Sequence, residues 1–329
     1  MHSSVLARVA RVNVRGYLAR IYYGDPVAEA VDITIDGRPL RLTNLSKVLY
    51  PATVHSSPFE NGFTKADVVD YYRQIAPFML PHLAGLCPTM VRAPDGFGGE
   101  VFFEKRCPRH HPDWIDTGAA NGVSGGCFID SLPALIWTAN LAALELHTQQ
   151  TPAASLRCPR AMVFDLDPGD GATVMDCRRV ALQLHDWLLQ LGLDSLVKTS
   201  GSKGLHLSVP LHDPTLTDDD TKQFALTMGQ LFEQRDPMVT TNMAKAERGG
   251  KVFIDWSQND RHKTTVAPYS LRIRETPTVS TPITWEELTV AATVEDLTFD
   301  ALNVIERVAT YGDLWSANLT LAQQLPQLG

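Results

Sequence analysis

The apolar run Ala161-Met162-Val163-Phe164 leads straight into Asp165-Leu166-Asp167 and is stopped by Pro168-Gly169. A run this short and apolar reads as a buried strand, and the Pro-Gly pair ends it in a turn. Side chains alternate faces along a strand, so Asp165 and Asp167 project from the same face. Two carboxylates side by side repel unless a cation lies between them. Hard divalent cations such as Mg²⁺ and Mn²⁺ take carboxylate oxygens and keep positions open for phosphate. The plain alternative is an Asx-rich turn that merely ends a strand. A third acid weighs against it: Asp255 closes the apolar run Val252-Phe253-Ile254 and is followed by Trp256. An aspartate in a strand core is disfavoured unless it is paired or metal-bound. Three acids at strand ends are the usual minimum for two metals that clamp attacking and leaving oxygens.

Ser200-Gly201-Ser202-Lys203-Gly204-Leu205-His206 is the next constellation. Hydroxyls, glycine amides, a lysine and a histidine in one tight turn are the chemistry for holding a polyphosphate. GxxxxGK[ST] is absent, so this is not a Walker A loop, and no GxSxG elbow supports a serine hydrolase. An incidental turn is the bland alternative. Arg248, Gln258, Lys263 and Arg272 flank Asp255 in sequence. Any one of them alone would be an ordinary solvated side chain, although arginine suits bidentate phosphate contact. The stretch from Arg235 to Arg274 holds eight basic and four acidic residues, in a chain whose formal net charge is −8. That balance excludes a generic nucleic-acid binder and leaves room for a local basic groove.

Elsewhere Val31, Ile33 and Ile35 alternate up to Asp36-Gly37 and resume at Leu40 and Leu42, a hairpin signal. Thr64 with Asp67 opens a capped helix with Val68, Tyr72, Ile75 and Met79 on one face and a kink expected at Pro77. Leu132 to His147 reads as one buried apolar helix. Val174 to Leu191 is an amphipathic helix ending at Gly192, and Thr217 with Asp220 caps another running to about Gln234. Leu196–Lys198, Leu205–Val209, Lys251–Trp256, Thr264–Val266 and Tyr269–Ile273 read as strands. Strands and helices mix without strict alternation, which predicts a mixed α+β fold.

No apolar run approaches the roughly 18 residues of a membrane helix. The first twenty residues carry Arg8, Arg11, Arg15 and Arg20 and no acid. They are either loosely similar to a transit peptide or a frayed or misassigned N-terminus. Five cysteines without a CxxC predict a reducing, cytoplasmic chain with no disulfide framework. Cys107 with His110 and His111 has metal-like spacing that Cys127 or Cys158 would complete; the bland reading is a polar loop.

Taken together, Asp165-Leu-Asp167-Pro-Gly, the Ser200–His206 loop and Val252-Phe-Ile-Asp255-Trp-Ser-Gln258-Asn resemble the three motifs of archaeo-eukaryotic primase-polymerases. The likeness is greatest to the polymerase domain of bacterial DNA ligase D and its stand-alone relatives. Leu42-Thr-Asn44-Leu-Ser-Lys47-Val-Leu-Tyr-Pro, Val101-Phe102-Phe103-Glu-Lys105 and Thr264-Thr-Val-Ala-Pro-Tyr-Ser-Leu-Arg272 match further segments. The resemblance runs from about Val31 to Leu288.

The resemblance implies a bilobal fold with an RRM-like catalytic sheet and a second sheet flanked by helices. It implies residues 1–30 as an N-terminal extension and 31–329 as one catalytic domain. By match, Asp165, Asp167 and Asp255 would ligate two divalent ions, Mn²⁺ or Mg²⁺. Ser200, Ser202, Lys203, His206 and Arg272 would contact the incoming NTP or dNTP, with His147, Gln258 and Arg248 at further active-site positions. Asn44, Lys47, Lys65 and Arg92 would grip the 5′-phosphate of a downstream DNA strand, and Phe102 and Phe103 would stack on template bases. The implied activity is short-gap filling or end extension in DNA repair, favouring ribonucleotides. It would take place at the bacterial nucleoid beside a separate DNA ligase and an end-binding protein. A metal-dependent phosphohydrolase or nuclease, a non-catalytic DNA-end-binding module, and priming from scratch are the alternatives. The sequence also departs from the family. Met90-Val91-Arg92 keeps one charge of a basic run, 54–63 looks inserted, and Thr148-Gln-Gln-Thr follows His147 in place of a Val-Pro-Gln-Trp-like continuation.

Overall fold

Asp36 and Gly37 both take positive φ, 49° and 75°, closing a two-residue turn with Ile35 opposite Arg38. This is the turn geometry that matches the twist of paired strands, and it confirms the first hairpin. The computed structural model describes residues 30–52, 61–120, 123–154 and 158–326. The expected extension at 1–30, apart from Ala30, and most of the insertion at 54–63 lie outside the described residues.

In chain order the strands are β1 (Ala30–Ile35), β2 (Arg38–Thr43), β3 (Val48–Tyr50), β4 (Phe63–Thr64), β5 (Thr89–Arg92), β6 (Phe102–Glu104), β7 (Thr117–Ala120) and β8 (Val123–Cys127). They continue with β9 (Ala143–Thr148), β10 (Ala161–Pro168), β11 (Leu196–Thr199), β12 (Leu205–Pro210), β13 (Val239–Thr240), β14 (Val252–Asp255), β15 (Thr265–Val266) and β16 (Pro282–Ile283). The helices are α1 (Lys65–Leu83), α2 (Leu132–Asn140), α3 (Val174–Gln190), α4 (Asp218–Arg235), α5 (Trp285–Val290) and α6 (Ala301–Tyr311).

Two hydrophobic cores organise these elements. The first gathers α1, α2 and α6 with an antiparallel sheet in the order β15-β9-β5-β6. Thr64 and Asp67 cap α1 reciprocally, as their spacing predicts, and α1 continues through Pro77 and Pro81 to Leu83. The buried hydroxyls of Tyr71 and Tyr72 donate to the carbonyls of Tyr269 and Leu144, each at 2.7 Å, and tie α1 to the strand region beneath it.

The second core lies under a six-stranded sheet, β13-β14-β10-β12-β11-β16, antiparallel except for the β13–β14 pair. Phe164, Leu166, Val197, Leu205, Leu207 and Ile254 pack on α3 and α4. Alternation therefore turns Asp165, Lys198, His206 and Asp255 to the opposite face. Phe299 packs against both cores. The fold is mixed α/β, as the sequence predicts.

Three sequence expectations change. Leu132–His147 is not one helix: α2 stops at Asn140, Ala142 takes φ 55°, and β9 begins at Ala143. The Asn140 side chain accepts from Thr43 N–H and donates to Arg41 O, both at 3.0 Å, so it fastens that break to β2. Tyr269–Ile273 forms no strand; it carries one isolated bridge, Leu271 to Val279. Finally, Cys107 and Cys127 are joined in a disulfide, with Cα atoms 4.8 Å apart. Cys107 N–H donates to Gly125 O at 2.6 Å, which draws the two segments together. The pairing overturns the disulfide-free expectation and takes Cys107 out of the metal alternative. Among the described residues no helix is long and apolar enough to cross a membrane.

Candidate active site

The antiparallel register sets four side chains in one lateral row. Asp255 on β14 pairs with Asp165 on β10, Asp165 with His206 on β12, and His206 with Lys198 on β11. Directly opposed residues share a face, so acid, acid, imidazole and amine stand side by side. Asp167 is on the same face, two residues along β10. Burial and the neighbouring Asp255 push the Asp165 carboxyl up to about 7. Asp165 and burial push Asp167 up to about 7 as well. Asp165 Oδ1 is buried without a hydrogen bond, although His206 Nε2 lies 3.2 Å away.

Asp255 is held differently. Its Oδ1 accepts from Ser257 N–H at 3.1 Å and Ser257 Oγ at 2.5 Å, and its Oδ2 accepts from Gln258 Nε2 at 3.0 Å. No cluster of three or more His, Cys, Asp or Glu side chains among the described residues is already gathered as a metal cage. The donor chemistry nevertheless fits a hard divalent cation. Two carboxylates are each raised by burial and a neighbouring acid, a third faces them across the strand pair, and one buried oxygen lacks a partner.

The turn after β11 curls around Ser200. Its Oγ accepts from Ser202 N–H at 3.2 Å and Gly204 N–H at 3.1 Å. Gly201 has φ 67°, and a Cβ on Gly204 would sit 2.1 Å from Leu166 O, so neither position takes a side chain. Ser202 and Lys203 are exposed at the tip. Two arginines brace the turn: Arg272 donates to Ser200 O and Arg274 to Ser202 Oγ.

The first lobe's sheet supplies the facing wall. Glu145 and His147 lie on β9, with Glu145 Oε2 2.6 Å from His147 Nε2. Glu145 Oε1 accepts from Ile273 N–H at 2.8 Å and lies 3.1 Å from Arg272 Nε. Burial pushes the Glu145 carboxyl up, but His147, Arg272 and Ile273 N–H together outweigh it and hold it at about 2. Arg248 sits over the Phe253 ring, 3.5 Å from its centroid, and donates to Asn242 O and Met243 O. Its charge favours ionised Asp167.

A second charged patch lies on the first lobe. Lys65, 6% exposed, follows the α1 cap, and its N–H donates to Lys47 O at 2.8 Å. Among the described residues its Nζ has only Thr43 Oγ1, at 3.5 Å. Burial, then Lys47 and Arg92, lower its pKa to about 8. Lys47 pairs with exposed Asp95 at 2.6 Å, and Arg92 with Glu104 at 2.7 Å. Asn44, with φ 53°, turns the chain so that its carbonyl accepts Lys47 N–H at 3.0 Å. Arg92 stands opposite Phe102 in the β5–β6 register. Phe102 and Phe103 are 41% and 70% exposed on that edge strand.

A family model described as the LigD primase-polymerase domain matches residues 64–315. The chain belongs to that family. The LigD primase-polymerase domain is a nucleotidyltransferase, found in relatives named for non-homologous end joining DNA repair. The multifunctional non-homologous end joining protein LigD of Mycolicibacterium smegmatis is 42% identical over 287 residues, 84% of this chain and 35% of that protein. The bifunctional LigD of Bacillus subtilis is 30% identical over 274 residues, 83% of this chain and 43% of that protein. The chain thus spans less than half the length of these curated relatives. The solved polymerase domain of Mycobacterium tuberculosis ligase D, in complex with DNA, matches with a TM-score of 0.76 at 39% identity. The match covers 86% of this chain and 98% of that one.

Within this LigD-type fold the sequence reading did not single out Lys198, Glu145, Ser280 or Arg274. Lys198 is 3% exposed, and its Nζ contacts His206 Nδ1 at 3.1 Å, Val266 O at 2.9 Å and Ser280 Oγ at 2.7 Å. Burial and Arg272 push its pKa well down, while Asp165 opposes them. The available signal was a lysine inside the otherwise apolar strand Leu196-Val-Lys-Thr, where only a partnered cation is tolerated.

Proposed function

We propose that this chain is a template-directed nucleotidyltransferase that fills short gaps or extends ends in DNA, favouring ribonucleotides. Residues 31–329 would act as one bilobal catalytic unit. The row Asp255–Asp165–His206–Lys198, facing Arg272 and the Ser200 turn, carries this reading. It puts carboxylates that need a cation beside a turn that offers the Ser202 hydroxyl and cationic side chains to phosphates.

Asp165, Asp167 and Asp255 would hold the divalent ions, Mg²⁺ or Mn²⁺. When bound there, such ions lower the pKa of a primer 3′-hydroxyl and stabilise the departing pyrophosphate. The chain's own groups do the rest. Ser200 is spent shaping the turn, so the Ser202 hydroxyl, Lys203, His206 and Arg272 receive the triphosphate and offset its charge. Glu145 fixes Arg272 and His147 at the wall where the nucleotide sugar would lie. A site that hydrogen-bonds a ribose 2′-hydroxyl is how such a wall prefers ribonucleotides. The Lys47–Lys65–Arg92 patch receives the 5′-phosphate of the downstream strand, and Phe102 and Phe103 stack on template bases. The nick left after filling requires a DNA ligase activity, and an end-binding protein would deliver broken ends.

Primer extension on a short-gapped duplex tests this reading. It uses ribo- and deoxynucleoside triphosphates, Mg²⁺ or Mn²⁺, and a downstream strand with or without its 5′-phosphate. The expected result is metal-dependent growth, faster with ribonucleotides and with the 5′-phosphate. Strand shortening would instead make the same acids a nuclease site. Tight binding without growth would leave an end-binding module.

A further inference from the structure

With Lys198 as an ammonium, its partners fix which proton His206 carries. Val266 O can only accept, so it takes one hydrogen from Lys198 Nζ at 2.9 Å. The Ser280 hydroxyl donates to Thr199 O at 3.1 Å, so its oxygen accepts a second lysine hydrogen at 2.7 Å. An ammonium has three hydrogens and no lone pair. The third meets His206 Nδ1 at 3.1 Å, and that nitrogen must then be the acceptor. The ring proton consequently sits on Nε2. Nε2 lies 3.2 Å from Asp165 Oδ1, and that oxygen accepts no hydrogen bond among the described residues.

We propose that Lys198 is a positioning residue that locks His206 as the Nε2–H tautomer, making it a hydrogen-bond donor to the oxygens of a nucleoside triphosphate. The inference rests on reading the site as a triphosphate site. A neutral amine would have the opposite effect. With both its hydrogens on Val266 and Ser280, its lone pair would accept from Nδ1–H and turn the Nε2 lone pair toward the phosphates, which repels them. A bound triphosphate adds negative charge beside the row and favours the ammonium. Lys198 thus acts through His206 and touches no reacting atom itself.

Nitrogen-15 NMR of histidine-labelled protein reads the tautomer directly, with and without a non-hydrolysable nucleoside triphosphate. His206 is assigned by the signal lost in His206→Gln. The expected wild-type pattern with nucleotide bound is a protonated Nε2 and an unprotonated Nδ1. The reverse pattern overturns the proposal, and this measurement needs no Lys198 variant to fold. In Lys198→Met, whose folding is checked by thermal unfolding, the His206 signals move toward a tautomer mixture; an unchanged Nε2–H signal overturns the proposal. Nucleotide affinity provides an independent cycle. Lys198→Met weakens binding about tenfold in the wild-type background and less than about twofold in the His206→Gln background. Equal losses in both backgrounds mean that Lys198 does not act through His206, and they also overturn the proposal. Wild-type protein that binds no triphosphate would sink the reading of the site itself, a failure separate from the tautomer signal.

Discussion

Lys198 and Lys65 are both nearly buried, 3% and 6% exposed, yet their surroundings are opposite. Lys198 has three close acceptors, an imidazole beside it and an acid beyond that. Lys65 has one hydroxyl at 3.5 Å and two further cations as neighbours. The catalytic-sheet lysine is complete within the protein and serves to hold another side chain. The first-lobe lysine forms no ion pair among the described residues, and the proposed 5′-phosphate would supply its counter-charge. The same contrast holds for the acids. Glu145 is buried among His147, Arg272 and Ile273 N–H, whereas Asp95 pairs with Lys47 at the surface, where screening leaves little energy. On the proposed reading, one face is preorganised for chemistry and the other meets DNA backbone and bases.

Substitutions can break this contrast. Arg272→Ala should have the largest effect, because it removes a brace of the Ser200 turn and a triphosphate cation together. The account expects kcat/KM for nucleotide addition to fall by about 100-fold to 1000-fold while DNA affinity stays near wild type. Loss of DNA binding in parallel would merge the two faces.

Glu145→Gln should cost about 3 kcal/mol of stability at pH 7, because it leaves the Arg272 guanidinium without its carboxylate. The carboxyl is held at about 2, below its unfolded value. Its contribution is therefore fully present above about pH 4.5 and is lost as pH falls toward 2. Unfolding midpoints of wild type and variant should converge over that acid window; a constant gap would show that the charge is not what stabilises.

Phe103→Ala should weaken binding of gapped DNA by about 1–3 kcal/mol, equally for different template sequences. Its unfolding temperature should not change, since the ring is 70% exposed. A sequence-dependent loss would mean that the ring reads bases instead of stacking on them.

Lys65→Met should have a smaller effect, confined to the preference for a 5′-phosphate, worth about tenfold in affinity. The folded pKa of Lys65 is lowered to about 8, so in the DNA-free protein the amine is disfavoured as a cation. The stability penalty grows as pH falls from the ordinary lysine value of 10.5 to about 8 and is fully present below 8, so the variant should be at least as stable as wild type at pH 7. The wild-type preference for 5′-phosphate should weaken as pH rises past 8. A preference that is flat from pH 7 to 9 would place the phosphate elsewhere.

Sequence alone reached the candidate active site where its signals are contiguous. Asp165-Leu-Asp167, the Ser200–His206 turn and Asp255 are short patterns whose chemistry shows in the spelling. The helix caps at Thr64 and Thr217 are equally local. Lys198 was missed because its partners lie 8, 68 and 82 residues away and meet it only through strand register. Leu132–His147 was misread because a buried helix and a buried strand are both apolar, and the break between them is one left-handed residue, Ala142. Cys107 and Cys127 stand 20 residues apart, with nothing in that spacing to mark them as partners.

The most direct test measures DNA binding and metal-dependent nucleotide addition side by side for wild type and Asp255→Ala on a gapped duplex carrying a 5′-phosphate. The account predicts that the variant loses addition with both Mg²⁺ and Mn²⁺ while binding the duplex as tightly as wild type. Addition retained by Asp255→Ala would contradict it.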